Sequence, residues 1–558
     1  MPAVILGARD LTGCEHRLAL DAAARTAGDG PAETESPDAL RRIEAAQAHR
    51  AQVLQLLREA QDRLPTTLVD IDPSLPMERR AELTLTACAD GADWILSAAL
   101  PIDRVHGRRG HAEALIRHGQ GYVPLIIVNH RVVNPAKADR DPAEPATLRT
   151  SPLDRWAPER DPARTNRPNR RDALRLAQLA AMLDGLGYAA APDRADWVGG
   201  VIGVDADCIL AVPLGAVMPE YEEALERRRA IAAGTIPTVP RRINECRSCD
   251  WWPRCKAELE AGDDVSLVVG GAGTAALAQM GITTVRQLAD YRGDPPPEWP
   301  GYPSFTDAVV AASCRRAEVP LVRRLDRPTV QRADVEVDVD MESYGERGAY
   351  LWGTLLTDNA APDRPSRYLP FVTWDPLPSS DEGRAFGRFW TWLMDSRRRA
   401  HEAGRTFAAY CYSEQAENRW LRASADRFGG IPGVPHRDEV EEFIASDDWV
   451  DIYQAVNTNF ICPDGKGLKR IAPIAGFDWQ DEQASGVASM EWYAAAVGLD
   501  GAPLDATQRE RLLRYNEDDV QATKVLREWL SSERILRLPT VEDLLGAGTS
   551  LPSARPVG

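Results

Sequence analysis

The sequence predicts a multidomain α/β protein, and three observations lead there. Its 558 residues are enough for three or four cores at roughly 150 residues each. In both halves, apolar residues at helical spacing alternate with short strand-like runs. Two stretches rich in proline and polar residues, 134–172 and 292–305, break that pattern into blocks. The expected organisation is an α/β domain over 1–260, a small helical segment and linker over 261–329, a second α/β domain over 330–540, and a tail over 541–558.

Composition narrows the class. With 66 Lys and Arg against 84 Asp and Glu the net charge is -18, with 44% hydrophobic and 27% charged residues, the balance of a soluble globular protein. Such acidity argues against a surface coated in nucleic-acid contacts, although a local basic groove is compatible with it. No apolar run approaches the ~18 residues of a membrane span, and MPAVILGARDLTGCEHRLAL lacks the pattern of a signal peptide. The expectation is a cytoplasmic protein with no membrane contact. Nine cysteines in a reducing compartment point to metal or redox chemistry wherever they cluster.

The first domain opens with a helical pattern over ALRRIEAAQAHRAQVLQLLREAQDRL, where Leu40, Ile43, Ala46, Val53, Leu54 and Leu57 recur at helical spacing. HAEALIRHG (111–119) and YVPLIIVNHRVV (122–133) read as two strands joined by a Gln-Gly turn. The Pro-, Arg- and Asp-rich segment 134–172 reads as a surface loop. Near the domain's end, RRINECRSCDWWPRCKAEL sets Cys246, Cys249 and Cys255 at C-x2-C-x5-C spacing. Three soft ligands call for a fourth. An iron–sulfur cube accepts one from far away, and Cys14 in DLTGCEHRLAL is a candidate; a structural zinc with Cys14, Cys88 or Cys208 is the other reading. Cys314, Cys411 and Cys462 read, like Cys88 and Cys208, as ordinary buried thiols.

A lone cysteine near the N-terminus and a C-x2-C-x5-C near residue 255 resemble the iron–sulfur RecB-family nucleases. That resemblance implies a 4Fe-4S cluster on Cys14, Cys246, Cys249 and Cys255. It also implies a PD-(D/E)xK-type site, to which this chain matches in part. Glu113 falls at the family's G-x-x-D carboxylate, Gln178 at the Gln of its Q-x-x-x-Y with Met182 in place of Tyr, and His49 at an upstream His. The next strand has no acid and no lysine, only Asn129, His130 and Arg131, so a hydrolytic Mg2+ would lack an oxygen ligand. The expectation is a degenerate nuclease fold that engages nucleic acid.

Between the domains, VSLVVGGAGTAALAQMGITTVRQLADY resembles a helix-hairpin-helix unit, whose glycine turn at Gly270, Gly271 and Gly273 offers N–H groups to a phosphate or else packs two helices closely.

The second domain carries the fuller set of chemical groups. DVEVDVDMES alternates as a strand, placing Asp340 and Glu342 on one face, and AYLWGTLL completes a hairpin. RTFAAYCYSEQAENRWLRASADRF reads as strand then helix, with Glu417 in the first helical turn. ATQRERLLRYNEDDVQATKVLREWL is an amphipathic helix on which Tyr515 and Asp519, at i and i+4, share a face; Asp518 is expected to be exposed. Carboxylates converging at a sheet edge suit two Mg2+ or Mn2+ ions. The order Asp-x-Glu, a later acid, then Tyr-x-x-x-Asp resembles the DEDDy branch of the RNase-H-like 3′ to 5′ exonucleases. DVDMES, YNEDDV and the intervening VDIYQAVN and GLKRIAPIAGF are similar to the exonuclease domain of a bacterial family that joins it to a RecB-like domain. The resemblance implies that Asp340, Glu342, Glu417 and Asp519 ligate metal and that Tyr515 orients water.

The function expected is metal-dependent cleavage of DNA or RNA. The alternative is a non-catalytic nucleic-acid-binding subunit that partners a helicase or another repair or defence protein. No GxxxxGK[ST] loop occurs, so the chain is not itself a P-loop motor.

Overall fold

The structure, a computed structural model, describes residues 4–27, 37–136, 148–481, 483 and 485–546. The chain divides into two compact units, Met1–Leu259 and Glu260–Gly558. The tail sequence SARPVG lies outside the described residues.

The first unit is built on an eight-stranded mixed sheet in the order Leu68–Asp70, Trp94–Leu96, Ala114–His118, Gly121–Ile127, Val198–Ile202, Ile209–Pro213, Arg149–Ser151, Glu159–Arg160. Ala114–His118 and Gly121–Ile127 form the hairpin expected at the Gln-Gly turn. Every residue of Gly121–Ile127 is buried, because both sheet faces are covered. Ala114, Ile116, Leu125 and Ile127 pack with Val53, Leu54 and Leu57 of helix Pro37–Gln61. Leu115, Tyr122 and Ile126 face helix Arg170–Gly185 through Leu176, Ala177 and Leu179. Ile43 of helix Pro37–Gln61 is 41% exposed, although its apolar spacing puts it in register with the core-facing residues.

Segment 134–172 is more than a loop. Val133–Pro135 pairs with Arg164–Asn166, and Arg149–Ser151 and Glu159–Arg160 extend the main sheet at its edge; residues 137–147 lie outside the described residues. Edge strands of Arg, Thr and Ser need no apolar alternation, which is why composition hides them.

In the second unit, helices Gly271–Gln279, Val285–Asp290 and Phe305–Ala317 enclose Val265, Leu277, Leu288 and Val309. Packing accounts for one of the glycines of this segment: a Cβ on Gly273, inside the first of these helices, would lie 2.6 Å from Val269. Beyond them stands a five-stranded sheet in the order Arg367–Val372, Ala349–Asp358, Val335–Ser343, Phe407–Cys411, Trp449–Asp451. The first three run antiparallel and the last two parallel to the central Val335–Ser343. Val335, Val337 and Val339 pack with Phe386, Phe389 and Leu421 of helices Ser380–Glu402 and Gln415–Phe428. The opposite face of the same strand is acidic, and helix Thr507–Leu530 lies against it.

Candidate active site

Period-two alternation puts Glu336, Asp338, Asp340 and Glu342 in a row on one face of strand Val335–Ser343. The row is treated in two halves. Arg527, fully buried, takes Asp338 through Nη2 at 2.7 Å and Nε at 3.3 Å and pairs with Glu336 through Nη1. Asp340 and Glu342 meet no guanidinium among the described residues. Asp519 comes to them from helix Thr507–Leu530, and among the described residues these three form the one group whose ligand atoms lie within 4.8 Å of one another. Asp340 is partly exposed and the other two are buried, so the group opens on one side.

Neighbours fix each carboxylate. Asn516 Nδ2 donates to Asp340 at 2.7 Å and its Oδ1 accepts from Tyr368 at 2.7 Å. This close approach of helix to sheet requires Gly353 opposite Asp340, since a Cβ there would sit 1.6 Å from Asn516 Oδ1. Ser489 donates to Glu342 at 2.8 Å, and Trp479 Nε1 donates to Asp519 at 2.7 Å. The Tyr515 hydroxyl bonds Asp519 and accepts from Lys469 Nζ at 3.1 Å. Asp518 corrects the sequence expectation of exposure: it is 3% exposed and accepts from Gln480 N at 2.9 Å and Nε2 at 2.8 Å.

Glu417 lies in the first turn of helix Gln415–Phe428, buried, with Oε2 lacking a hydrogen-bond partner. It is outside the 4.8 Å group, but its charge acts on Asp340, and burial, then Asp451 and Glu342, shifts its own titration upward.

The titration of the site shows what it lacks. Burial, then Asp519 and Glu342, holds Asp340 well above the usual carboxylate range. Burial with Asp519 pushes Glu342 up to about 8, and burial pushes Glu417 up to about 8. Asp519 rises to about 6 by burial, against the pull of Lys469 and Trp479. Clustered hard oxygens with too little positive charge, one of them unpartnered, are a donor set that fits divalent cations.

The corresponding groups of the first unit are arranged differently. Glu113 precedes strand Ala114–His118 and is 3% exposed. Its carboxylate accepts from Arg175 Nη2 at 3.0 Å and Ile127 N at 3.1 Å and forms an ion pair with Arg50 at 3.1 Å, so guanidiniums stand where an ion would. Gln178 donates to Arg109 O at 2.7 Å, and its Oε1 and His49 Nε2 are buried without partners. His130 pairs with Asp172 at 2.9 Å and Arg131 with Asp205 at 3.1 Å. Cys14, Cys246, Cys249 and Cys255 line one small cavity with His16, Trp251 and Trp252. Backbone N–H groups of Arg17 and Ile243 donate to the sulfurs of Cys14 and Cys246, each at 3.4 Å. Cys88 and Cys208 are buried elsewhere in the core.

Sequence reasoning missed Lys469, Trp479, Ser489 and Asn516. The tetrapeptide Tyr515-Asn516-Glu517-Asp518 beside the Tyr-x-x-x-Asp signal held one of them.

A mixed five-stranded sheet with carboxylates on its central strand and on a C-terminal helix defines an RNase H-like domain. The family model RNase_H_2, of the RNase_H superfamily, matches residues 431–531, a span that holds Lys469, Trp479, Ser489, Tyr515 and Asp519. No curated protein and no solved structure matches the chain.

Proposed function

We propose that the chain is a metal-dependent nuclease, a 3′ to 5′ exonuclease that hydrolyses phosphodiesters of DNA or RNA in its second unit. The observation that carries this reading is the convergence of Asp340, Glu342 and Asp519 within 4.8 Å on an RNase H-like sheet. Those three, with Glu417, would hold two Mg2+ or Mn2+ ions. When bound, such a pair activates water and offsets charge on the phosphate. Asn516, Ser489 and Trp479 orient the carboxylates. Tyr515, whose hydroxyl bonds Asp519, would orient the attacking water.

The first unit, in this reading, is a RecB-like module that engages nucleic acid without cutting it, since Glu113 is saturated by arginines. Its four cysteines would hold a 4Fe-4S cluster. Cys14, distant in sequence, lines the same cavity as Cys246, Cys249 and Cys255, which supports one group shared by the four thiols.

The test is release of nucleotides from a 5′-labelled oligonucleotide with Mg2+ or Mn2+. Shortening from the 3′ end that Asp340→Ala abolishes supports the reading. Binding without cleavage at every metal concentration would instead mark a non-catalytic subunit of a larger assembly.

A further inference from the structure

The carboxylates of one strand face meet two kinds of cation. Arg527 closes Glu336 and Asp338 with a forked set of N–H groups. A cation whose charge acts on Asp340, Glu342 and Asp519 is a lysine, Lys469. The chain holds five lysines among its 66 basic residues, so an ammonium here departs from the habit of the molecule. Lys469 sits in the first turn of helix Leu468–Ala475 and is exposed. Its Nζ is 3.1 Å from Tyr515 Oη, 4.6 Å from the centre of the Tyr515 ring and 5.5 Å from that of Trp479. Trp479 and Tyr515 each bond Asp519, so the ammonium is seated on the two rings that frame the ligand group.

We propose that Lys469 is a catalytic residue that contacts a non-bridging oxygen of the scissile phosphate, an inference that rests on the nuclease reading above. The choice of lysine follows from geometry. A guanidinium carries a planar fork that pairs two-pronged with carboxylates, as Arg527 does with Asp338, and would seal the ligand group against cations. An ammonium is a compact point charge that lowers the repulsion among the carboxylates without occupying two of their oxygens. Held by a hydroxyl and two ring faces beside Asp519, on a residue that is itself exposed, it lies within reach of a phosphate bound at the carboxylates.

Two measurements on the full chain test this: Mn2+ affinity by electron paramagnetic resonance, and single-turnover cleavage of a 5′-labelled oligonucleotide at saturating Mn2+. Lys469→Ala is expected to bind Mn2+ at least as tightly as the parent and to cleave ~10²-fold more slowly, the usual loss for one donor to developing charge. Lys469→Arg keeps the charge and is expected to weaken Mn2+ binding by about 10-fold. Parental cleavage by Lys469→Ala, or parental Mn2+ affinity and rate in Lys469→Arg, would overturn the assignment while leaving the nuclease reading intact. A parent chain that binds Mn2+ and cleaves nothing would remove both.

Discussion

Asp340, Glu342, Glu417 and Asp519 repel one another in the metal-free protein, so removing one charge should stabilise the fold while ending catalysis. Asp340→Asn keeps an oxygen for Asn516 and is expected to raise the melting temperature in EDTA by roughly 2–4 °C, with cleavage lost; a melting curve and an activity assay check both halves. The same repulsion sets a pH dependence. Glu342 and Glu417 titrate at about 8 and Asp519 at about 6 in the fold, above ordinary values of 4.5 and 3.8. The folded protein therefore binds more protons than the unfolded chain between these limits. The stability so gained is present below pH 4 and lost as pH rises through 6 to 8. Melting temperature in EDTA should fall from pH 5.5 to pH 8.5, and Mg2+ should raise it most at the upper end; a flat profile in EDTA would contradict the clustering. Tyr515→Phe removes a hydroxyl and no carboxylate, so turnover should fall while Mn2+ affinity, read by titration, holds.

The contact between strand Val335–Ser343 and helix Thr507–Leu530 decides whether the site exists. Gly353→Ala would drive a Cβ into Asn516 and lift the helix from the sheet, at about 1–3 kcal/mol for overpacking, with Mn2+ binding weakened in step. Arg527→Met would leave Asp338 buried and unpaired, with Glu336 still held by Arg332, costing about 3–5 kcal/mol, visible as a lower urea midpoint for the second unit. These elements were legible in part. Strict alternation in VEVDVDMES and the i, i+4 pair Tyr515 and Asp519 announced the strand, the helix and their shared face. The same alternation did not say that half of the acidic row would be consumed by Arg527, because that residue lies 189 positions from Asp338. Asp518 was read as exposed from its angle around the helix. The angle is sound, but Gln480, brought by the chain before helix Gly486–Val497, covers that side. Lys469 lies in the GLKRIAPIAGF stretch that carried the resemblance, yet neither it nor Trp479 was marked as a site residue, since their place beside Tyr515 and Asp519 depends on contacts with a distant helix.

At the scale of the whole chain, two buried carboxylate sites differ in the charge that fills them: arginines at Glu113, and at Asp340 an opening for cations beside a lysine. Spacing marked Cys246, Cys249 and Cys255, the resemblance added Cys14, and the fold brings all four to one cavity. Anaerobically purified protein should be brown and carry about four irons per chain, with Cys249→Ser colourless and its first unit less stable; stoichiometric zinc without iron would refute the cluster. The central claim is that cutting belongs to the second unit. Its most direct test compares Mn2+-dependent cleavage of a 5′-labelled oligonucleotide by the parent, Asp340→Asn and Glu113→Gln. Loss of shortening from the 3′ end in Asp340→Asn with full activity in Glu113→Gln is the result expected, and activity that survives Asp340→Asn but is lost in Glu113→Gln would contradict it.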